Sequence, residues 1–498
     1  MKEKIIKNLM ALSVKNPPGR KEEINKIKEA ISANQNIILI GPRRVGKTTL
    51  LNAIEKQMEN SKYRIVRYDC MGYKGNISAL FAYLLAYTKP LKIFVSSIGK
   101  RGKGELGKER ESAGSMLNKL GYNPFLIENF PDSDDPEKVE EDNIKDSDAF
   151  LLILGNEYSK EVEQEFGFAK FYEVPVFCMI KGKCDEERDN KVSKIIDGIR
   201  KNKEMIYHNY ESIEEFEEVI EKTINKKDKE QREEIFKKYK NNEEWIEISE
   251  KFFESLKTQK EKRFLFLIDE FGELRKKDQD NKVTVNKNFE YMCAHLKAQI
   301  EKIKNNALFI ITGSENVFTL YPQKYFEIFS KITIKPFERD LAISVLNEIL
   351  TKKIDNELGG KIIEIVGTLP ADLQLFVSKV NKNAKIDKSN LYKIVKGLMT
   401  DEGFSMQELF FEHLDKDTLK FLERIIPFLP ASIDEIKTSF NEQKENLDEL
   451  MKKVTEYYFI LEKRDDNKYY PYSNLLYLSV INKNAPAKFE EIINNILK

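Results

Sequence analysis

The run Gly41-Pro42-Arg43-Arg44-Val45-Gly46-Lys47-Thr48-Thr49 spaces two glycines, a lysine and two hydroxyls as a phosphate-wrapping turn requires. In such a turn successive backbone N–H groups curl round the phosphates, Lys47 reaches the β and γ oxygens, and the Thr48 hydroxyl ligates Mg²⁺. Gly41, Arg44, Gly46, Lys47, Thr48 and Thr49 are therefore read as nucleotide-binding residues, with ATP and Mg²⁺ as the expected cofactors. A second run, Phe264-Leu-Phe-Leu-Ile-Asp269-Glu270, ends in two carboxylates. Asp269 would hold the metal through its water shell, and Glu270 would orient and deprotonate the attacking water, which makes Glu270 the predicted catalytic residue of an ATPase. A third run, Ala307-Leu-Phe-Ile-Ile-Thr312-Gly-Ser314-Glu-Asn316, supplies Thr312, Ser314 and Asn316 as candidate sensors of the γ-phosphate. A plain strand-ending turn accounts for any one of them nearly as well.

Chemistry of this kind needs a parallel sheet whose strands end at the phosphates. Asn36-Ile-Ile-Leu-Ile40 predicts the buried strand before the turn, and a helix from Lys47 would add the positive end of its dipole. Arg64-Ile-Val-Arg-Tyr68-Asp69 predicts the next strand. More than two hundred residues then separate Lys47 from Asp269, where a compact core needs far fewer. A domain is inserted, with 77–86 as the start of an interrupted helix and 229–257 as a charge-rich helical return.

The insertion opens with Leu91-Lys-Ile-Phe-Val-Ser96-Ser97, a short strand ending in serines. Its following loop carries Gly99, Gly102, Gly104 and Gly107 at spacings that match neither a second phosphate loop nor a dinucleotide fingerprint. Strand-like and helix-like segments then alternate through Val174-Pro-Val-Phe-Cys-Met-Ile180, which predicts a small parallel α/β domain with ligands at the carboxyl ends of its strands. Glu161 and Glu165 are four residues apart and share a helix face, whereas Glu163 points elsewhere.

Asn16-Pro-Pro-Gly19-Arg20-Lys-Glu-Glu23, before the phosphate turn, and Ile365-Val-Gly367-Thr-Leu-Pro370, well after it, resemble the Gly-Arg-Glu and Gly-Gly-x-Pro motifs of the archaeal-type STAND/AAA+ ATPases. The resemblance carries Arg20 and Pro370 over as nucleotide contacts; here Lys21 intervenes before Glu22, and Thr368 replaces the second glycine. Residues 91–225 resemble TIR-like and nucleoside deoxyribosyltransferase-like domains through Ser147-Asp-Ala-Phe-Leu-Leu-Ile-Leu-Gly-Asn-Glu-Tyr158-Ser159 and Glu165-Phe-Gly167-Phe-Ala169. That likeness implies that Glu165 acts at the ribose carbon of an N-glycosidic bond, with NAD as a possible substrate and Glu161 as the rival carboxylate. The family's aromatic-cysteine pair before the glutamate is absent, and many TIR-like domains serve only as scaffolds.

Three helical segments and an Asp465-Asp466-Asn467 hairpin turn near the end predict a winged helix. Lys452, Lys453, Lys463, Arg464 and Lys468 could touch DNA phosphates, although Asp448, Glu449 and Glu456 mix the charge of the candidate recognition helix. Over 498 residues, 83 basic and 83 acidic side chains cancel, so no global field selects a nucleic acid. The four cysteines are scattered and do not compose a zinc site. With no signal-like start and no long apolar run, a cytoplasmic protein without membrane contact is expected.

The expected fold class is α/β. It comprises a parallel-sheet P-loop ATPase core (1–90 and 226–340), an inserted small TIR-like α/β domain (91–225), a helical lid (341–410) and a winged helix (411–498). The leading functional expectation is an ATP-binding signalling switch in anti-phage or stress defence. It would form a homo-oligomer when activated by a protein or nucleic-acid trigger, and its TIR-like domain would then cleave NAD. The alternative is an ATPase with a non-catalytic TIR-like binding module, placed on DNA or a protein by the winged helix.

Overall fold

Short apolar runs that end in polar residues make the strands here, and amphipathic stretches between them make the helices. The structure, a computed structural model, describes residues 15–59, 61–98, 104–126, 136–182, 188–202, 205–258, 263–275, 287–303, 306–313, 323–380, 386–399, 411, 414–439, 446–458 and 460–498. The strands in chain order are β1 Asn36–Ile40, β2 Tyr63–Asp69, β3 Lys92–Ser97, β4 Asn123–Phe125, β5 Ala149–Leu154, β6 Val176–Lys181, β7 Ile206–Tyr210, β8 Arg263–Asp269, β9 Ala307–Thr312, β10 Phe329–Thr333, β11 Ala431–Ser432, β12 Leu461–Lys463 and β13 Lys468–Pro471. The result is a mixed α/β protein with two parallel sheets and many helices. It divides into two compact units, one formed by Met1–Leu80 with Leu256–Lys498 and the other by Phe81–Ser255.

The sheet of the first unit has the order β10-β1-β9-β8-β2, with every neighbouring pair parallel. Alternate residues face opposite sides, so Ile37, Leu39, Leu265, Leu267, Leu308 and Ile310 pack on one face with the helices Lys21–Ser32 and Lys47–Met58. On the other face Phe266 stacks between Phe264 and Phe309, at centroid distances of 5.6 and 4.9 Å. Beyond β10 the helices Arg339–Ile349, Asn356–Val366 and Pro370–Lys379 share one apolar core with the helices and small sheet near the end of the chain, from Phe337 to Ile493. That small sheet, β11-β13-β12, is antiparallel. The turn between β12 and β13 has Asn467 at φ 62°, a conformation that asparagine tolerates well.

The second unit holds a parallel sheet of order β4-β3-β5-β6-β7. Both of its faces are covered, Ile93, Val95, Leu151 and Ile153 facing one core and Phe94, Phe150, Leu152 and Leu154 the other, as a sheet with crossover helices requires. The helix Ile213–Tyr239 runs through the sequence boundary drawn at 225/226, since nothing between Ile213 and Tyr239 is a helix breaker. It stays with the second sheet: Gln231 donates to Asp148 at 2.7 Å, and Phe236 meets Tyr83 edge-on. Trp245 stacks on Phe81 at 5.8 Å, so the 229–257 stretch, expected on the ATPase core, is grouped mostly with the second unit.

Candidate functional site

In the first unit, β1, β9 and β8 are adjacent and parallel, so the Gly41 turn, Thr312 and Asp269 meet at one carboxyl edge although they are far apart in sequence. The turn is tight at Gly41, where an added Cβ would lie 2.2 Å from the Ile334 carbonyl oxygen. Gly46, at φ 98°, starts the helix Lys47–Met58, and Arg44 has φ 67°. Lys47 is 5% exposed, and its ammonium donates to the carbonyls of Gly41 and Pro42 at 2.8 and 2.9 Å. Burial pulls its pKa down to about 8 against the opposing charges of Glu270 and Asp269. Thr48 and Thr49 are half-buried on the first turn of that helix.

Asp269 is buried, and both of its oxygens are engaged. Thr312 donates its hydroxyl to Oδ1, while Arg67 on β2 donates to Oδ2 at 2.8 Å. Arg67 is absent from the sequence-derived site because nothing local ties it to β8; only the β2–β8 register brings it there. Glu270 has φ 52° and donates its backbone N–H to the Thr312 hydroxyl at 3.3 Å. A glycine turn, a buried lysine and a strand-end carboxylate in this arrangement fit a phosphate with its divalent cation, Arg67 being the cation already on the carboxylate.

Of the two carried-over residues, Arg20 contacts the turn and Pro370 opens a helix. Arg20 is 4% exposed, and its donors go to Glu23 at 2.5 Å, the Val45 carbonyl at 2.7 Å and the Lys335 carbonyl at 3.0 Å. It braces the glycine turn from behind through Val45. Pro370 is the first residue of the helix Pro370–Lys379, where its missing N–H costs nothing. Ser314 and Asn316 lie outside the described residues.

Two residues beyond Pro370, the sequence reading passed over Asp372. Its carboxyl is pushed up to about 7 by burial, against the Ser473 hydroxyl that donates to it at 2.7 Å and the charge of Arg44. The folded-state value lies above the ordinary 3.8, so the folded protein holds an extra proton between about pH 4 and 7, and stability falls as pH rises through that window. Asp372→Asn should remove this slope and raise stability at pH 8 by about 1–3 kcal/mol, read from thermal melts at pH 5 and 8. Equal pH dependence in the variant would show that Asp372 is ionised throughout.

In the second unit the helix Lys160–Phe171 starts at Ser159, whose hydroxyl oxygen accepts the Val162 N–H at 3.2 Å. Its buried stripe is Val162, Glu165, Phe166 and Ala169, which turns Glu165 inward and leaves Glu161 and Glu163 exposed. The rival Glu161 instead takes the Ser159 hydroxyl at 2.7 Å, which holds its pKa low. Glu165 is 6% exposed and accepts the Ser96 hydroxyl of β3 at 2.5 Å. Beside it Arg110, from the helix Gly107–Leu120, donates to the Ser97 carbonyl and hydroxyl at 3.2 and 3.1 Å. Burial drives the Glu165 carboxyl up to about 7; Ser96 opposes this, Glu140 adds to it and Arg110 lowers it. A carboxyl poised there exchanges its proton at working pH and can serve as nucleophile, base or charge stabiliser.

Ser96 stabilises the charged form, so Ser96→Ala should move the Glu165 titration upward from about 7. The size should be about one to two pH units, as expected for a hydrogen bond to a charged group. A pH profile of any Glu165-dependent reaction, or carboxyl titration by infrared spectroscopy, reads the shift, and an unmoved midpoint contradicts this geometry.

Two of the five basic residues named near the end of the chain, Lys453 and Arg464, are engaged within it. Lys453 pairs with Glu449 and Asp415 at 3.3 and 3.6 Å, and Arg464 pairs with Glu462 at 2.6 Å and covers the Tyr470 ring. Cys70, Cys178 and Cys293 are buried free thiols, and Cys184 lies outside the described residues. Among the described residues no group of three or more His, Cys, Asp or Glu is gathered as a metal would need, and no helix is long and apolar enough to cross a membrane.

No curated protein matches this chain. Among solved structures it is similar to the CMP N-glycosidase BcmB of Clostridium botulinum, at 20% identity over 26% of this chain and 98% of that one, with a TM-score of 0.22. At that identity and score the likeness carries no chemistry from one protein to the other. Residues 92–225, the greater part of the second unit, match the family described as "Domain of unknown function (DUF4062)".

Proposed function

We propose that the protein is an ATP-binding switch whose second unit cleaves an N-glycosidic bond, with NAD as the substrate. The observation that carries the catalytic half is Glu165: a buried carboxyl poised near pH 7 at the carboxyl edge of a parallel sheet, on a serine and beside an arginine. In this reading the C1′–N bond of the nicotinamide riboside breaks and its electron pair leaves with the ring. Glu165 as carboxylate stabilises or traps the cationic ribose carbon, and water completes ADP-ribose with release of one proton. Nicotinamide is a good leaving group because the bound ring is already cationic, so one carboxylate suffices.

The nucleotide half rests on the Gly41–Thr49 turn, buried Lys47 and Asp269 at adjoining strand ends. Bound Mg²⁺ would neutralise phosphate charge; Thr48 and Asp269 would hold it, Lys47 would take phosphate oxygens and Glu270 would orient water. The antiparallel sheet and helices near the end of the chain are read as a winged helix that takes part in the switch, and ATP is read as promoting assembly. A defence role, with a protein or nucleic acid as trigger, belongs to the same proposal. The test is whether ATP changes both oligomer size, by light scattering, and NAD turnover; no change in either removes the coupling.

A second reading, a non-catalytic binding module, is favoured by the shielding of Glu165, a residue 6% exposed whose carboxylate is already bonded to Ser96. It predicts no enzymatic consequence of altering Glu165.

A further inference from the structure

The connection from β3 to the helix Gly107–Leu120 sends Glu105 across the edge of the second sheet. Its two carboxylate oxygens accept the backbone N–H groups of Asn156 at 2.6 Å and Glu157 at 2.9 Å. Those amides follow β5, the neighbour of β3 on the side away from β4. Successive connections diverge between β3 and β5, which is where parallel α/β sheets open a crevice for ligands. Two consecutive N–H groups aimed at one anion form a small concave site for negative charge. Gly155 makes the approach possible, because a Cβ there would lie 2.5 Å from a Glu105 carboxylate oxygen.

Among the described residues two buried polar atoms beside this contact have no partner, and one of them, the Tyr210 hydroxyl, is a donor of the kind an oxyanion takes. Glu109 Oε2 has none, on a residue 5% exposed, and neither has the hydroxyl of Tyr210, 1% exposed. The other oxygen of Glu109 pairs with Lys181 at 2.7 Å, and the Lys181 ammonium reaches the Glu105 carbonyl at 3.5 Å. Tyr210 lies opposite Lys181 in the β6–β7 register and close enough to Glu109 and Glu105 for both charges to act on it. Arg188 closes the cluster by donating to the Gly155 carbonyl at 2.7 Å.

We propose that the 155–157 turn is an anion-binding site for the phosphate group of a ligand, and that the Glu105 carboxylate is an internal occupant which this phosphate displaces. Glu105 thereby sets a threshold: only an anion that binds the turn better than a tethered carboxylate opens the crevice. The inference rests on the second unit holding a ligand at this edge, and it does not depend on bond cleavage by Glu165.

The experiment uses the full chain carrying Lys47→Ala, so that phosphate binding at the Gly41 turn does not interfere, with Glu105 intact or changed to Ala or Gln. Inorganic phosphate, adenosine 5′-monophosphate and adenosine are titrated, and hydrogen exchange followed by mass spectrometry locates protection. Glu105→Ala should bind phosphate at least about tenfold more tightly than the Glu105 form, because the tethered competitor is gone. Protection should fall on the 155–157 amides. Glu105→Gln keeps one acceptor oxygen and should lie between the two; it decides alone if the alanine variant melts early. Tighter binding of the nucleotide than of phosphate identifies a nucleotide site, and equal binding identifies a free oxyanion site. Equal phosphate affinity with and without Glu105, or protection confined elsewhere, overturns the proposal, whatever Glu165→Gln does to NAD.

Discussion

Glu165→Gln is expected to lower N-glycosidic cleavage by about 10²- to 10⁴-fold, the range that one positioned acid–base or nucleophilic group supplies. The amide matches the carboxyl in size and can still accept the Ser96 hydroxyl, so the fold should survive. It should even gain stability above neutral pH. The folded-state carboxyl titrates at about 7 rather than 4.5, so the wild-type protein loses stability as pH rises from about 4.5 to 7 and the amide does not. If the carboxylate is the reacting form, wild-type cleavage rises with pH through about 7 and then levels. A variant that folds and retains full cleavage would move the chemistry to another group, and exposed Glu161 would be the first to examine.

Lys47→Ala is expected to weaken ATP binding at least about 100-fold, about 2.7 kcal/mol, as measured by titration of the purified chain. The loss should come with little change in melting temperature. Burial holds the Lys47 ammonium at about 8 rather than 10.5, so the charge is costly in the folded protein, while its bonds to the Gly41 and Pro42 carbonyls offset part of that cost. Side chains kept at such a cost are candidates for binding. Unchanged ATP affinity would assign the turn a purely structural role and remove the nucleotide half of the proposal.

The strands were legible because short, uninterrupted apolar runs mark them locally, as in Asn36–Ile40 and Ala149–Leu154. The inward aim of Glu165 was not: spacing put Glu161 and Glu165 on one helix face, whereas the stripe of Val162, Glu165, Phe166 and Ala169 turns Glu165 inward and leaves Glu161 exposed. What the sequence withheld is long-range register. Arg67 meets Asp269 only because β2 lies beside β8, and Asp372 meets Ser473 only because two distant helices share a core. Arg20 depends on the same long-range placement: its donors reach the Val45 and Lys335 carbonyls as well as the nearby Glu23. The helix Ile213–Tyr239 continues past the boundary drawn at 225/226 for a local reason, the lack of any breaker within it.

The most direct measurement is release of nicotinamide from NAD by the full chain with Mg²⁺, with and without ATP. The account predicts release that depends on ATP, disappears with Lys47→Ala and is lost with Glu165→Gln. Release that ignores ATP and both substitutions, or no release under conditions in which ATP is bound and the protein assembles, would contradict it.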